Sequence, residues 1–350
     1  MIAGPRPQTP EPKVPLAIPL SVADGTKMFP ATIVIDRVDY QTRMVHDTGL
    51  LIDNSPPICG NLSDGRLHHE DAAYWRFADE YCFTWDMMTD PHSSIVSLTA
   101  QVLQGGVGVS DAIEVTDTHR HAFCVPLNAT TALRHNTTYN VKVVAINGGH
   151  RRLTCSSASS GMLVDLTVPN SDVAAAPTVN DNLPMQPAIK YSASASTAYA
   201  SWQGFADPQS GVVSYDVQTV ITAEDESIVR MRPVNVDLLQ EYEAHHYHFQ
   251  HRDTVQITVA GYNGAGGVSA PVSSGGFLVD LTKPAVIHAT IGESPEFNRL
   301  FQSSADRLQV NFKFRDDESG IGLLTVDMYR EHHKITRKLG ITFQTTSADT

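Results

Sequence analysis

The amino-acid sequence predicts an all-β chain that folds as a series of β-sandwiches. Three observations predict this fold class. The chain has 350 residues, of which 23 are glycine and 20 proline, with 41% hydrophobic and 18% charged residues, as expected of turn-rich globular domains. Its apolar residues alternate with polar ones along short runs. In addition, several stretches of sequence recur at a spacing close to the length of one sandwich domain.

A stretch that ends in an aspartate and a proline recurs three times. It reads GLLIDNSPP, GMLVDLTVP and GFLVDLTKP, and its aspartates Asp53, Asp165 and Asp280 lie 112 and 115 residues apart. A second stretch, MTDPHSSI, FADPQSGV and FRDDESGI, follows each of them in the same order. A third echo, VVAINGG and VAGYNGAG, stands just before two of the aspartate stretches. This repeated order indicates tandem copies of one kind of domain.

Between these landmarks lie runs that are rich in Val, Ile, Thr and aromatic residues and that alternate with a period of two. They include EYCFTW, SIVSLTAQVL and TYNVKVVAI in one copy, and TAYASW, VVSYDVQTV and VQITVAGY in the next. Gly, Pro, Asn or Asp bounds each run, which is typical of half-buried strands between turns. About seven such strands per copy predict two packed antiparallel sheets.

The prolines that end the aspartate stretches divide the chain into four segments. Residues 58–169 and 170–284 are predicted to be complete sandwiches, residues 1–57 the C-terminal part of an upstream sandwich, and residues 285–350 the N-terminal part of a downstream one. A half sandwich leaves a sheet edge and an apolar face unpaired. We therefore expect the sequence to be a fragment of a longer repeat array.

The repeated stretches resemble those of fibronectin type III domains, in the variant of large extracellular proteins that carries W-x-G-F-x-D-P-x-S-G-I and G-x-x-V-D-x-T-x-P. The second complete copy matches the first pattern at Trp202, Gly204, Phe205, Asp207, Pro208, Ser210 and Gly211. The first complete copy matches it at Trp85, Asp90 and Pro91. The resemblance implies tandem fibronectin type III or immunoglobulin-like β-sandwiches, each with an aromatic side chain between its sheets.

All four cysteines lie in the first complete copy, at Cys59, Cys82, Cys124 and Cys155. In the topology of the resembled family, the first and last of these lie on the first and last strands, and the middle two on neighbouring strands. The resemblance thus implies the disulfides Cys59–Cys155 and Cys82–Cys124, one of three possible connectivities. Four free thiols in a cytosolic protein are the alternative. Zinc is disfavoured because no Cys-x-x-Cys spacing occurs.

Three Asn-x-Ser/Thr sequons in the same copy begin at Asn61, Asn128 and Asn136. Each is near a predicted turn, where a glycan can be carried at the surface. Together with the paired cysteines, these sequons predict an extracellular or cell-surface location.

The stretch EAHHYHFQH contains four histidines in seven positions. The alternation turns His246 and His248 toward solvent, where two imidazoles are weak candidates for a metal site. No carboxylate or further histidine stands at a motif spacing such as His-Glu-x-x-His, so a solvated surface patch is the preferred interpretation and no metal is predicted.

Two other groups of candidate ligands are weaker. HHED at His68–Asp71 and HRH at His119–His121 form a shared metal site only if the fold brings them together. The turn Asp316–Glu318 offers oxygen ligands for calcium, but its equivalents in the other copies have one aspartate each.

Composition and the absence of motifs limit the function. A net charge of −13 without a basic run argues against nucleic acid, and no apolar run reaches the ~18–20 residues that span a bilayer. No nucleophile elbow or phosphate-binding loop is present, so the chain is predicted to be non-enzymatic, without a cofactor. We expect an adhesion, receptor or spacer role, with an unknown protein or glycan ligand. The alternatives are accessory spacer domains of a large secreted enzyme whose catalytic domain lies outside this chain, and a cytosolic scaffold.

Overall fold

The computed structural model describes residues 22–116, 121–172, 175–181, 187–245, 247–292, 300–301, 303, 310–330 and 333–339. Within these residues the regular secondary structure consists of β-strands alone, so the predicted all-β class is confirmed. No helix that could cross a membrane occurs in this described part of the chain. The chain divides into two units, Met1–Leu166 and Thr167–Thr350.

The first unit contains fourteen named strands in its described residues. They are β1 Lys27–Met28, β2 Ala31–Ile35, β3 Gln41–Val45, β4 Leu50–Leu51, β5 Leu62–Asp64, β6 Tyr74–Trp75, β7 Glu80–Trp85, β8 Ile95–Gln104, β9 Val107–Gly108, β10 Ile113–Glu114, β11 Ala122–Pro126, β12 Thr137–Asn147, β13 Thr154–Ala158 and β14 Met162–Val164. Strands β11-β7-β5 form one sheet, and β10-β8-β12-β14-β6 form a second. In the second sheet β9 also pairs with β8, and β13 pairs with β12. The two sheets make the sandwich.

The core of this sandwich follows the alternation of the strands. On β12 the side chains of Val141, Val143 and Ala145 are fully buried, while the residues between them are not. Trp85 on β7 is also buried and belongs to the same core, as expected for the aromatic residue between the sheets. Burying an aromatic side chain of this size contributes roughly 2–3 kcal/mol.

The second unit repeats this strand order. Its strands are β15 Thr178–Asn180, β16 Tyr191–Ser192, β17 Ala198–Ser201, β18 Val212–Thr222, β19 Ile228–Arg230, β20 Val234–Asn235, β21 Glu241–Ala244, β22 Thr254–Asn263, β23 Val272–Ser273, β24 Phe277–Val279, β25 Ala285–Ile291, β26 Val310–Arg315, β27 Thr325–Arg330 and β28 His333–Leu339. Strands β15-β17-β21 form one sheet and β16-β24-β22-β18-β19 the other. The order β16-β24-β22-β18 corresponds to β6-β14-β12-β8, including a parallel pair at β16-β24 and at β14-β6.

The two copies differ where the long strand of the larger sheet begins. In the first, the Arg134 amide donates to the Tyr139 hydroxyl at 3.1 Å, which makes a tyrosine corner. In the second, Phe249 and Val255 occupy the places of Leu133 and Tyr139, and both are buried. The second copy therefore replaces a hydrogen bond with apolar packing.

The strands outside the two sandwiches form two-stranded sheets: β1-β4, β2-β3, β25-β26 and β27-β28. The hairpin β2-β3 is exposed along its whole length, including Ile33, Val34 and Ile35. Its strands pair from Ala31 with Val45 to Ile35 with Gln41. These two strands pair with each other but bury little apolar surface.

Candidate functional site

Two disulfides hold the first unit together. Cys59, just before β5, bonds to Cys155 on β13, with their Cα atoms 5.8 Å apart. Cys82 on β7 bonds to Cys124, which lies directly opposite on β11, with a Cα separation of 3.9 Å. These are the two pairs that the resemblance implied. One bond ties the first residues of the sandwich to the larger sheet, and the other joins neighbouring strands of the smaller sheet.

The three sequon asparagines are on the surface of the first unit. Asn61 immediately precedes β5, Asn128 follows β11, and Asn136 immediately precedes β12; all three are exposed. The side-chain oxygen of Asn128 accepts hydrogen bonds from the Thr130 amide at 2.9 Å and the Thr130 hydroxyl at 2.6 Å. Glycosylation stays a prediction, and the exposed positions leave room for a glycan.

The described histidines of the stretch, His245, His248 and His251, lie in the connection between β21 and β22. Phe249 is buried, and its ring stacks on that of Tyr247 with centroids 5.7 Å apart. His248 is exposed, as the alternation predicted, and His246 lies outside the described residues. Of the two histidines of the weak metal candidate, the structure therefore describes only His248, which is on the surface, and the candidate stays untested.

His251, the last histidine of the stretch, holds the end of the second sandwich. Its Nδ1 accepts a hydrogen bond from the Leu281 amide at 3.3 Å and lies 3.7 Å from the Asp280 carboxylate. Its Nε2 lies 3.6 Å from Glu318. Because an N–H donates to Nδ1, the proton of the neutral ring is on Nε2.

His135 has the same role in the first unit. Its Nδ1 accepts from the Leu166 amide at 3.1 Å and lies 3.6 Å from the buried carboxylate of Asp165. The sequence signal for both histidines is their position two residues after Leu133 and Phe249, combined with the repeated Asp-Leu-Thr. Neither role was predicted from the sequence.

The cluster of His251, Asp280 and Glu318 has its ligand atoms within 4.8 Å of one another. Glu318 already has a partner, because the guanidinium of Arg252 donates to it at 2.7 Å through Nε and lies 2.6 Å away at Nη2. The Ser319 hydroxyl, with Thr282, lowers the pKa of Asp280 by donating to its carboxylate. The three groups that a metal would need thus already have partners: Arg252 for Glu318, hydroxyls for Asp280 and the Leu281 amide for His251.

The carboxylates of the turn at Asp316–Glu318 do not share a common centre that could coordinate calcium. Asp316 accepts from the Ser319 amide at 2.9 Å and from the Gly320 amide at 2.7 Å, which closes the turn. Asp317 pairs with Arg315 at 2.7 Å. These contacts account for the acidic side chains by turn formation and ion pairing.

A buried asparagine links the two repeated stretches of the first unit. Asn147 is the last residue of β12, and its side-chain amide donates to Asp53 at 3.0 Å, to the Ser55 carbonyl at 3.0 Å and to Asp90 at 3.1 Å. Burial raises the pKa of Asp90, but the Ser93 and His92 amides and Asn147 outweigh it, so the pKa lies below its ordinary value. The amide thereby ties the chain before β5 to the sandwich.

Asn263, the last residue of β22, makes the corresponding contacts in the second unit. Its amide donates to the Thr167 carbonyl at 3.1 Å and to Asp207 at 2.9 Å. Thr167 follows Asp165 by two residues, as Ser55 follows Asp53. The two asparagines are those of the INGG and YNGAG echoes, so the sequence contained the signal.

The two asparagines differ in their oxygen atoms. Asn263 Oδ1 accepts from the Gly267 amide at 2.6 Å, within a turn closed by a bond from Asn263 N to Gly267 O. In the first unit the corresponding bond runs from Asn147 N to Leu153 O, so the turn is longer. Asn147 Oδ1 is buried and accepts no hydrogen bond from the described residues.

We expect Asn263→Ala to lower the free energy of unfolding of the second unit by about 2–3 kcal/mol, because it leaves the Gly267 amide and the Thr167 carbonyl without their partner. Hydrogen exchange of peptides from the second unit, measured by mass spectrometry, reports this change separately from the first unit. The matched control is Asn235→Ala, which removes an exposed amide that donates to Ser214 and Asp216. Equal effects of the two substitutions would contradict the assigned role.

Among the comparisons with known proteins, similarity is found with solved structures. Neither a protein-family model nor a curated protein sequence matches the chain. Among solved structures, the chain is similar to the crystal structure of the chicken CNTN1 FN1-FN3 domains. The sequence identity is 15%, the similarity covers 71% of this chain and 76% of that chain, and the TM-score is 0.40. The β-sandwich assignment above comes from the strands and their pairing.

Proposed function

We propose that the chain is a non-enzymatic segment of an extracellular or cell-surface repeat protein, with a spacer, adhesion or receptor role. The observation that carries this proposal is the pair of disulfides in the first unit. Disulfides persist in oxidising compartments and are rare in the reducing cytosol. The three exposed sequons of the same unit support the same location.

Within this proposal, residues 58–169 and 170–284 are two fibronectin type III-like domains, and the flanking residues 1–57 and 285–350 belong to further sandwiches of the same kind. The repeated strand order of the two sandwiches supports this division. The domain boundaries then fall at the prolines that follow the aspartate stretches.

The asparagine contacts favour the spacer role. Asn147 and Asn263 each hold the segment that precedes the first strand of their own sandwich. His135 and His251 each hold the residue after the aspartate that ends it. Hydrogen bonds thus fix both ends of each sandwich to its own sheets, as a spacer domain requires. The ligand of an adhesion or receptor role, a protein or a glycan, would contact loops or strand edges.

The test is secretion of the chain from animal cells behind a cleavable signal peptide. We expect secreted protein whose intact mass shows two disulfides, and whose mass falls after removal of N-linked glycans. The matched control carries Asn61→Gln, Asn128→Gln and Asn136→Gln, and should not change mass on that treatment. Secreted protein with four thiols that react with iodoacetamide under native conditions would contradict the proposal.

A further inference from the structure

The turn after β5 places two adjacent imidazoles side by side. In an extended chain the side chains of His68 and His69 would point to opposite faces. Here His69 has a φ of 67°, in the left-handed region, and the two ring centroids lie 3.8 Å apart with the planes at 76°. Both side chains are therefore on the same side of the turn.

Asp86, the residue after β7, completes the group. Its Oδ1 lies 4.0 Å from His69 Nδ1, and one ligand atom from each of His68, His69 and Asp86 lies within 4.8 Å of the other two. Ligands of a tetrahedral zinc ion, at about 2.0–2.1 Å from the metal, are roughly 3.4 Å apart. The histidines are exposed, so rotation of their side chains closes this difference.

One histidine is already oriented as a ligand. His68 Nε2 lies 3.1 Å from the Trp85 carbonyl, which can only accept, so Nε2 carries the proton and Nδ1 keeps its lone pair. Histidines that bind metals usually donate their other ring N–H to a carbonyl or carboxylate. This contact leaves Nδ1 as the nitrogen of His68 that is available to a metal.

A fourth candidate ligand comes from the second imidazole group of the sequence. His121 immediately precedes β11, and its ring lies 6.2 Å from that of His68. Its Nδ1 is buried and has no hydrogen-bond partner in the described residues. The fold therefore brings HHED and HRH together at His68 and His121, whereas His119 lies outside the described residues.

We propose that His68, His69 and Asp86 bind a divalent transition-metal ion, with His121 beside them as a further nitrogen ligand. Imidazole nitrogens with one carboxylate suit Zn²⁺, whereas Ca²⁺ and Mg²⁺ prefer oxygen ligands alone. Arg66, a cation on the same turn, pairs with Glu80. This site goes beyond the spacer role and does not depend on it.

The experiment is calorimetric titration of Zn²⁺ into the full chain, prepared without a histidine tag and freed of metal by chelation. We expect one Zn²⁺ per chain, undisturbed by excess Ca²⁺. His69→Asn, which tolerates the positive φ, and Asp86→Asn should each weaken binding by at least about tenfold. The matched control, His245→Ala with His248→Ala, removes two other exposed histidines and should leave binding unchanged.

Thermal unfolding provides the second measurement. Zn²⁺ should raise the unfolding temperature of the wild-type chain, since a ligand stabilises the state it binds, and should raise it less in His69→Asn. Equal unfolding temperatures without metal show that this variant still folds. Unchanged affinity in both site variants, loss of binding in the control, or no binding to the wild-type chain would overturn the proposal.

Discussion

A chain in which both Cys59 and Cys155 are replaced by serine is expected to lose about 4–5 kcal/mol of unfolding free energy in the first unit. The bond joins residues 96 positions apart, so it removes much of the conformational freedom of the unfolded chain. This loss is large, because a domain is typically stable by only about 5–15 kcal/mol. Replacing Cys82 and Cys124, whose separation is 42, should cost about 4 kcal/mol.

Hydrogen exchange measured by mass spectrometry tests this expectation, since peptides from each unit are read separately. Exchange in β7, β8 and β12 should accelerate in the Cys59→Ser, Cys155→Ser variant. Peptides from the second unit, which contains no cysteine, are the internal control. Protection in the first unit that falls by less than about 1 kcal/mol would show that the bond contributes little.

Asp64→Ala is expected to destabilise the first unit by about 3–5 kcal/mol, because it removes a buried carboxylate that satisfies several donors. Asp64 accepts from the Tyr81 hydroxyl at 2.6 Å, the Gly161 amide at 2.6 Å and the Ser160 hydroxyl at 3.1 Å. Burial and the charge of Asp64 raise the pKa of Tyr81, so its hydroxyl remains a donor. Without Asp64, the Gly161 amide loses its acceptor, and the hydroxyls of Tyr81 and Ser160 keep only the Tyr139 carbonyl and Asp71.

Urea unfolding of the full chain, followed by the same exchange measurement, separates this effect from a general loss of packing. Tyr81→Phe removes one donor and leaves the carboxylate bonded to Gly161, so about 1–1.5 kcal/mol is expected. Asp64→Asn keeps the shape of the side chain, so its loss of unfolding free energy should lie between those of Asp64→Ala and Tyr81→Phe. Should Asp64→Ala cost no more than Tyr81→Phe, the carboxylate would not be the centre of this network.

The local pattern predicted the strands well. EYCFTW corresponds to β7 Glu80–Trp85, and TYNVKVVAI lies within β12 Thr137–Asn147. These elements could be read because alternation of side chains along a strand is local, and burial of one face follows from it. The chain could also be divided into repeats, since the echoes are visible without coordinates.

The candidate sites could be predicted only in part. The sequence singled out HHED and HRH but could not say whether they meet, since 52 positions separate His69 from His121. It named His246 and His248, which are close in sequence, as weak candidates for a metal site. It gave no role to His251, whose ring accepts a hydrogen bond from the Leu281 amide. The buried network around Asp64 was not predicted, because its partners Tyr81 and Gly161 are distant from it in the chain.

By itself, the sequence determined the all-β class, the positions of the long strands of both sandwiches and the repeat, because these depend on the period of side chains and on turn residues near one another in the chain. Only the tertiary structure decided which polar groups meet. Asn147 reaches Asp53, and His68 lies beside His121, because the pairing of sheets brings distant residues together. A hydrogen bond or metal ligand depends on separations of a few ångströms, which the order of residues does not specify.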